Sequence, residues 1–409
     1  MRPLFRRPLS FSLRNALVMM AVTCVVLAFA GRRAKRVLDQ KRAAQAIVAV
    51  GGDVITDADN ADDASVDPFS APDWKLAFGL AKLPRVVEVY LPYYFEKDDG
   101  VRDALPHLAA LPDLQKLELV GERWDDACCA YLEPLDSLLE LTVEGNEALT
   151  AVGFACLVRP KLQSLFVWGA DLHGLENRNL VWPATLKSIQ LVECQGLSGR
   201  AFAPMLGPAL EEIDVDAGEF RDEQLLGVPA PARLADLTMT NCDHLTGRGI
   251  QPLLGPSLYT LRLRGSLTDA DLRSLQLPPS LARLELRSIL FSNACTTSIA
   301  QACPQLEYLW LHGLLLDDGC IDALARLSRC ERMDLEDTFV GSAACAELSG
   351  KLNAECNLFT KHGVYRNGQL VKARGGFPLQ PPTAPGDALD VSEVESEQAD
   401  VEQPASEPE

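Results

Sequence analysis

The sequence predicts an α/β solenoid of stacked strand–turn–helix repeats, on three observations. A leucine recurs at near-constant spacing along most of the chain, each copy opens a stretch that alternates with period two, and a capped amphipathic segment separates successive copies. The first leucine stands at Leu114, Leu138, Leu162, Leu186, Leu210, Leu234 and Leu258, always 24 residues apart. It continues at Leu281, Leu306 and Cys330 with steps of 23, 25 and 24, and Val86 opens an earlier copy 28 residues before Leu114. About 11 repeats of ~24 residues result. In such an array no unit buries its own apolar face, so stacking builds one continuous core.

The chain begins with a basic segment, residues 1–15, followed by an uncharged run, residues 16–31. From Ala16 to Ala30 this run is short for a membrane span, which usually needs about 20 residues. Two readings are open: a transmembrane anchor, or the core of a signal peptide with Ala28-Phe29-Ala30 as its A-x-A cleavage site. Arg32, Arg33, Lys35 and Arg36 follow at once. They are awkward for export and suit an anchor whose long side chains reach the headgroups. Orientation stays open, because basic residues flank both ends of the run. Residues 32–82 are expected to form a juxtamembrane segment and an N-terminal cap. In it RAAQAIVAVGGDVI reads as a helix stopped by Gly51-Gly52, and PDWKLAFGLAKL would cover the open core of the first repeat.

Residues 83–357 carry the repeats. In LPDLQKLELVG, Leu114, Leu117 and Leu119 follow L-x-x-L-x-L; in CPQLEYLWLHG, Leu306, Leu309 and Leu311 do the same. Period-two alternation marks a half-buried strand. Between strands, segments such as WDDACCAYLEPL, LTDADLRSLQL and LLDDGCIDALARL open with Asp, Thr or Ser, whose side-chain oxygens cap free backbone N–H groups. Apolar residues then follow at helical spacing, as in Cys320, Ala323, Leu324 and Leu327. The pattern resembles the leucine-rich repeat family, whose unit runs L-x-x-L-x-L-x-x-N/C, and the resemblance covers about residues 83–345. It implies parallel strands on the concave face, short helices on the convex face, and a ninth side chain that hydrogen-bonds the turn backbone. Asn146, Cys194, Cys242, Ser266 and Thr338 fit that ninth position; Tyr94, Glu122, Ala170, Gly218, Ile289 and Leu314 depart from it, so other groups must satisfy those turns. With its basic N-terminal segment, the chain resembles bacterial proteins in which a membrane segment precedes such repeats.

Residues 358–375 hold Asn367-Gly368, a hairpin signal that would close the array. Residues 376–409 contain nine acidic residues and no basic one, with Pro, Ser and Gln, the composition of a disordered acidic tail.

The net charge of −19 argues against nucleic-acid binding, since phosphate contacts need a positive field. The 12 Cys follow the repeat and include no C-x-x-C, so they read as small core residues, with no zinc or redox site expected. Five His and the paired acids Asp125-Asp126 and Asp317-Asp318 could suggest catalysis. The His occupy no recognisable motif, and the acids recur at helix-capping positions, so neither enzyme activity, a cofactor nor a metal is expected.

Binding is the expected function, because solenoids present extended concave surfaces. Register places the second, fourth and sixth residues after each opening leucine on that face. The earliest copy gives Glu88, Tyr90 and Pro92. Late in the array Arg262, Arg264, Arg283, Arg287, Tyr308, Trp310 and His312 converge, and Trp, Tyr and Arg dominate binding hot spots. The competing reading pairs Arg262 and Arg283 with Glu285 and nearby acids. A second candidate is the acidic strip Glu212, Asp214, Asp216 and Asp236, suited to a basic partner or a cation. The leading expectation is a membrane-anchored scaffold that binds a protein partner, identity unspecified. Alternatives are a self-assembling envelope component, a secreted effector or adhesin, and a protein resembling the leucine-rich repeat substrate receptors of ubiquitin ligases.

Overall fold

Each alternating stretch forms a strand, and the strands stack side by side into one sheet. The computed structural model describes residues 13–57, 85–91, 100–121, 125–145, 148–288, 290–313 and 315–373. The proposed cap segment 72–83, concave Pro92, the turn residues Tyr94, Glu122, Asn146, Ile289 and Leu314, and the acidic tail 376–409 lie outside them.

In chain order the strands are β1 (Asp53–Thr56), β2 (Val86–Leu91), β3 (Lys116–Val120), β4 (Glu140–Glu144) and β5 (Ser164–Trp168). Next come β6 (Ser188–Val192), β7 (Glu212–Asp216), β8 (Asp236–Thr240), β9 (Thr260–Arg264) and β10 (Arg283–Arg287). The last are β11 (Tyr308–His312), β12 (Arg332–Leu335), β13 (Asn357–Thr360), β14 (Gly363–Arg366) and β15 (Gln369–Ala373). They form one 15-stranded sheet in sequential order. From β2 to β13 every pairing is parallel, while β1 joins β2, β14 joins β13, and β15 joins β14, antiparallel. The parallel run therefore extends one strand past the last copy of the sequence pattern. Asn367 and Gly368 turn β14 into β15, both with positive φ (47° and 77°), as a tight hairpin turn requires.

The leucines of the pattern lie on the covered side of this sheet. Leu114, Leu117, Leu119, Leu306 and Leu309 are fully buried, as are their counterparts in the other copies. Opposite them run short helices, including Ala151–Leu157, Gly247–Ile250 and Asn293–Ala302. Their N-caps are Thr150, Thr246 and Ser292, whose hydroxyls accept N–H bonds from Val152, Arg248 and Ala294.

A side-chain ladder links these caps from repeat to repeat. Thr150 donates its N–H and hydroxyl to Asp126 at 2.9 and 2.6 Å, and Thr246 does the same to Asp222 at 2.9 and 2.5 Å. Ser292 donates its N–H to Asp269 at 3.1 Å, and Gly341 donates to Asp318 at 2.6 Å. The paired acids divide the work. Asp125 and Asp317 accept N–H bonds in their own turns, from Cys128 and Gly319, while Asp126 and Asp318 reach the next repeat.

Turns that lack the usual ninth side chain are satisfied locally. Ser288, just before position 289, donates its hydroxyl to the Leu267 carbonyl at 2.8 Å and accepts from Leu290 N–H. At Gly218 the carboxylate of Asp216 accepts the N–H at 2.9 Å. Where the ninth residue is Cys242, its thiol meets the Arg264 carbonyl at 3.2 Å. Burial pushes the Cys129 and Cys242 thiols up to about 12, consistent with inert core residues.

At the N-terminal end, helix α1 (Leu13–Ala49) is continuous over 37 residues. Its apolar side chains from Leu17 to Phe29 are exposed, whereas Ala43, Ala44 and Ile47 join the core at the start of the solenoid. Arg36 pairs with Asp113 at 2.6 Å. The helix ends before Gly51, whose φ of 85° lets the chain turn back into β1.

The ladder predicts a coupled pair of substitutions. A Cβ on Gly249 would stand 2.2 Å from Asp222 Oδ1 and 3.0 Å from its Cα. Gly249→Ala is expected to cost about 1–3 kcal/mol by overpacking, and Asp222→Ala about 1–2 kcal/mol by uncapping Thr246. In urea denaturation the double variant should lose less than the sum of the two. Strict additivity would contradict the shared contact.

Candidate protein-binding face

Successive residues of a strand point to opposite faces. In β9, β10 and β11 the core takes Leu261, Leu263, Leu284, Leu286, Leu309 and Leu311. The residues between them share the concave face, and in-register pairing sorts them into rows. Thr260, Arg283, Tyr308 and Arg332 align in one row; Arg262, Glu285, Trp310 and Asp334 in the next; Arg264, Arg287 and His312 in the last. The seven candidate residues are thus brought together, but they are not equivalent.

Arg262 and Arg264 are already paired. Arg262 reaches Asp236 at 2.9 Å and Glu285 at 3.7 Å, and Arg264 grips Glu285 through Nε at 3.0 Å and Nη2 at 2.7 Å. Glu285 is the hub of this network, with a side chain only 7% exposed. Arg283 and Arg287 are exposed and make no ion pair among the described residues. Arg283 lies over the Tyr259 ring at 5.5 Å, and Arg332 over Tyr308 at 5.5 Å and Phe359 at 4.2 Å. Trp310 packs against His312, ring centroids 4.7 Å apart, and His312 Nδ1 meets Asp337 at 2.7 Å. Trp310 Nε1 and His312 Nε2 are buried without a hydrogen-bond partner.

The acidic strip is largely engaged as well. Glu212 accepts bonds from Ser188 and Gln190, Asp216 from Gly218 and Asn241, and Asp236 from Arg262. Burial pushes the Asp214 carboxyl above its ordinary range; the neighbouring Glu212 and Asp236 push the same way, against the pull of Arg262 and Arg264. Asp236 is likewise raised, because burial outweighs its pairing with Arg262. Burial also raises Asp334. Among the described residues no cluster of three His, Cys, Asp or Glu could hold a metal ion.

Two hollows open on this face. One, of about 450 Å³, is bordered by Arg283, Tyr308, Trp310 and Arg332. The other, of about 670 Å³, lies at the far ends of the strands beside Arg287, His312 and Asp337. Sequence reasoning reached the aromatic and arginine positions, and its competing reading named Glu285 as an acceptor: Arg262 and Arg264 pair with it, whereas Arg283 rests on Tyr259 instead. Arg332 as the cation over Tyr308 was missed, although it stood at a readable concave position.

Parallel strands one repeat apart, each with L-x-x-L-x-L leucines in the core and a short helix opposite, decide the architecture. The chain is a leucine-rich repeat solenoid. No family model and no curated protein matches its sequence. Among solved structures, a Listeria monocytogenes internalin is 15% identical, with TM-score 0.46, covering 67% of this chain and 79% of that one. The yeast Rad7 and Elc1 complex contributes a chain 16% identical, TM-score 0.47, covering 82% of this chain and 96% of that one. TLR13 in complex with ssRNA13 is 16% identical, TM-score 0.45, covering 64% of this chain and 38% of that one.

The raised carboxyl of Asp214 has a sign that can be checked. A carboxyl whose folded pKa lies above its unfolded one stabilises the fold only when protonated, and that contribution is lost as pH rises through the folded pKa. Asp214→Asn of this leucine-rich repeat solenoid is therefore expected to raise the thermal midpoint at pH 7. The gain over the parent should shrink as pH falls into the carboxyl range, read by circular dichroism at matched pH.

Proposed function

We propose that this protein is a non-catalytic, membrane-anchored scaffold that binds a protein partner on its concave face across β10, β11 and β12. The observation that carries the reading is the row Arg283–Tyr308–Arg332, where two arginines without a carboxylate partner among the described residues flank a tyrosine above Trp310. Trp, Tyr and Arg supply large contact area and directional donors at low entropic cost, which is why they dominate hot spots. The orphaned Trp310 Nε1–H adds a donor whose burial without an acceptor costs about 1–3 kcal/mol, a cost that a partner's acceptor would remove once the ring turns. The acidic strip contributes by holding Arg262 through Asp236, leaving less of it free for a separate basic ligand. The exposed apolar length of α1 supports an anchor: the segment Ala16–Ala49 is long and apolar enough to cross a membrane and is 6% buried in its most apolar window.

The partner test uses cross-linking with mass spectrometry on the full chain in its native cell. Because Arg264 is bound to Glu285, the informative pair is Trp310→Ala with Arg283→Glu. The double variant is expected to lose at least about tenfold of its partner cross-links, or about 1.4 kcal/mol, with an unchanged unfolding midpoint. Undiminished cross-links would overturn the concave site, and cross-links solely between copies would favour self-assembly.

For the anchor, carbonate extraction should leave the chain in the membrane pellet. A soluble chain beginning at Gly31 would mean a cleaved signal instead.

A further inference from the structure

The column of opening leucines ends in two cysteines. From Leu114 to Leu306 the opening residue of every copy is leucine, and Cys330 takes that place ahead of β12. The turn before β13 repeats the same geometry, although it lies past the last copy of the sequence pattern. Leu306 donates its N–H to the Cys303 carbonyl three residues back, Cys330 donates likewise to Leu327, and Cys356 to Asn353. One residue further on, Glu331 donates to the Glu307 carbonyl and Asn357 to that of Glu331. Cys356 is therefore the opening residue of one more turn, stacked on Cys330.

The two thiols meet in the core. Both residues are buried. Their sulfurs share a hydrogen bond, which raises the Cys330 thiol and lowers that of Cys356, and Cys330 Sγ also lies 3.2 Å from the Arg332 carbonyl. Two cysteines in succession give up apolar volume that leucine supplies elsewhere in the column, which packing alone does not favour.

Strand spacing sets this pair apart from the other thiols. A disulfide needs Cα atoms about 4.4–6.8 Å apart, and neighbouring strands lie about 4.8 Å apart. Cys295, Cys320 and Cys345 also follow one another from repeat to repeat, but on the helical side. Packed helix axes there stand about 8–10 Å apart.

We propose that Cys330 and Cys356 form a disulfide when the chain meets a disulfide oxidant, stapling β13 and its hairpin to the solenoid. This pair departs from the expectation that the cysteines serve only as small core residues. The step is thiol–disulfide exchange with a small disulfide R–S–S–R. Cys356 loses its proton to solvent, attacks one sulfur of the reagent and releases R–S⁻, leaving a mixed disulfide. Cys330, deprotonated in turn, attacks the Cys356 sulfur and releases the second R–S⁻. The pair gives up two electrons and two protons, and the reagent becomes two R–SH. Because both thiols are buried, the reagent reaches them when β13 to β15 lift away; an end unit with a repeat on one side only opens most readily. The proposal rests on neither the concave site nor the anchor.

The test incubates the full chain in detergent micelles with oxidised glutathione and quenches it with acid. Free thiols are then blocked with N-ethylmaleimide under denaturing conditions, and tryptic peptides are mapped by mass spectrometry. The expected product joins the peptide of residues 330–332 to that of residues 352–361, with the remaining cysteines alkylated. Deuterium exchange of the β13 to β15 amides should slow at least about tenfold on oxidation and recover with dithiothreitol. Cys356→Ala and Cys330→Val, checked for folding by circular dichroism, should show neither the linked peptide nor the slowing. The mapping uses the parent chain, so it decides even where a variant does not fold. Full alkylation of both cysteines, a link formed only after unfolding in urea, or a bond from either to another cysteine overturns the proposal. A native link that leaves the exchange unchanged overturns the staple.

Discussion

In-register parallel stacking is the constraint on which the rest of the molecule depends. Leu141 lies beside Leu117 and Leu165, and each opening leucine is covered by the repeats on either side. No repeat has a closed core of its own, so a unit that slipped by one residue would turn its leucines to solvent and expose its neighbours as well. The same register gives every other position a neighbour of its own kind one repeat away. Chemistry on this molecule is therefore written in stripes: a ladder of cap residues on one side, rows of charge on another, and a line of turn residues along the rim. A local patch arises where a stripe changes character.

One such change falls toward the C-terminal end of the array. On the concave face the acidic residues of β7 and β8 give way to arginines on β9 and β10, and the junction is neutralised in place by Asp236, Arg262, Glu285 and Arg264. Glu285 is buried enough that its charge needs both arginines, since removing one partner of a buried pair leaves an uncompensated charge. The arginines remain partly exposed, so the pairing is a brace for the floor and its net stabilisation is modest. One repeat further on the face becomes aromatic, and in the row Arg283, Tyr308 and Arg332, which holds no carboxylate, the cations stack on rings.

The strands of the repeat copies, β2 to β12, their register and the direction of their side chains were legible in the sequence, because a period of two nested in a period of about 24 leaves one consistent arrangement; β1 and β13, outside the copies, were not. The hairpin at Asn367-Gly368 was equally legible, since positive φ at both residues selects that dipeptide. Partner choice among side chains was less so. Arg262 and Arg283 sit on adjacent strands and looked alike, yet one finds Asp236 while the other rests on Tyr259. The outcome depends on which rotamer reaches which neighbour, and strand pattern carries no term for that. Compensation was also hidden: that Ser288 would serve a turn without the usual Asn, and that Asp216 would be drawn from the acidic strip to hold Gly218, follows from turn geometry.

Helix α1 shows how the same logic ends the array. An open first repeat would leave leucines exposed, and the last turns of α1 cover it with Ala43, Ala44 and Ile47, while β1 pairs antiparallel with β2. The exposed apolar half and the buried half belong to one unbroken helix, with no loop between them. A helix of 37 residues is about 55 Å long, and its direction relative to the solenoid is set by that packing and by the ion pair of Arg36 with Asp113. Whatever surrounds the exposed half, the concave face is presented at a fixed angle to it.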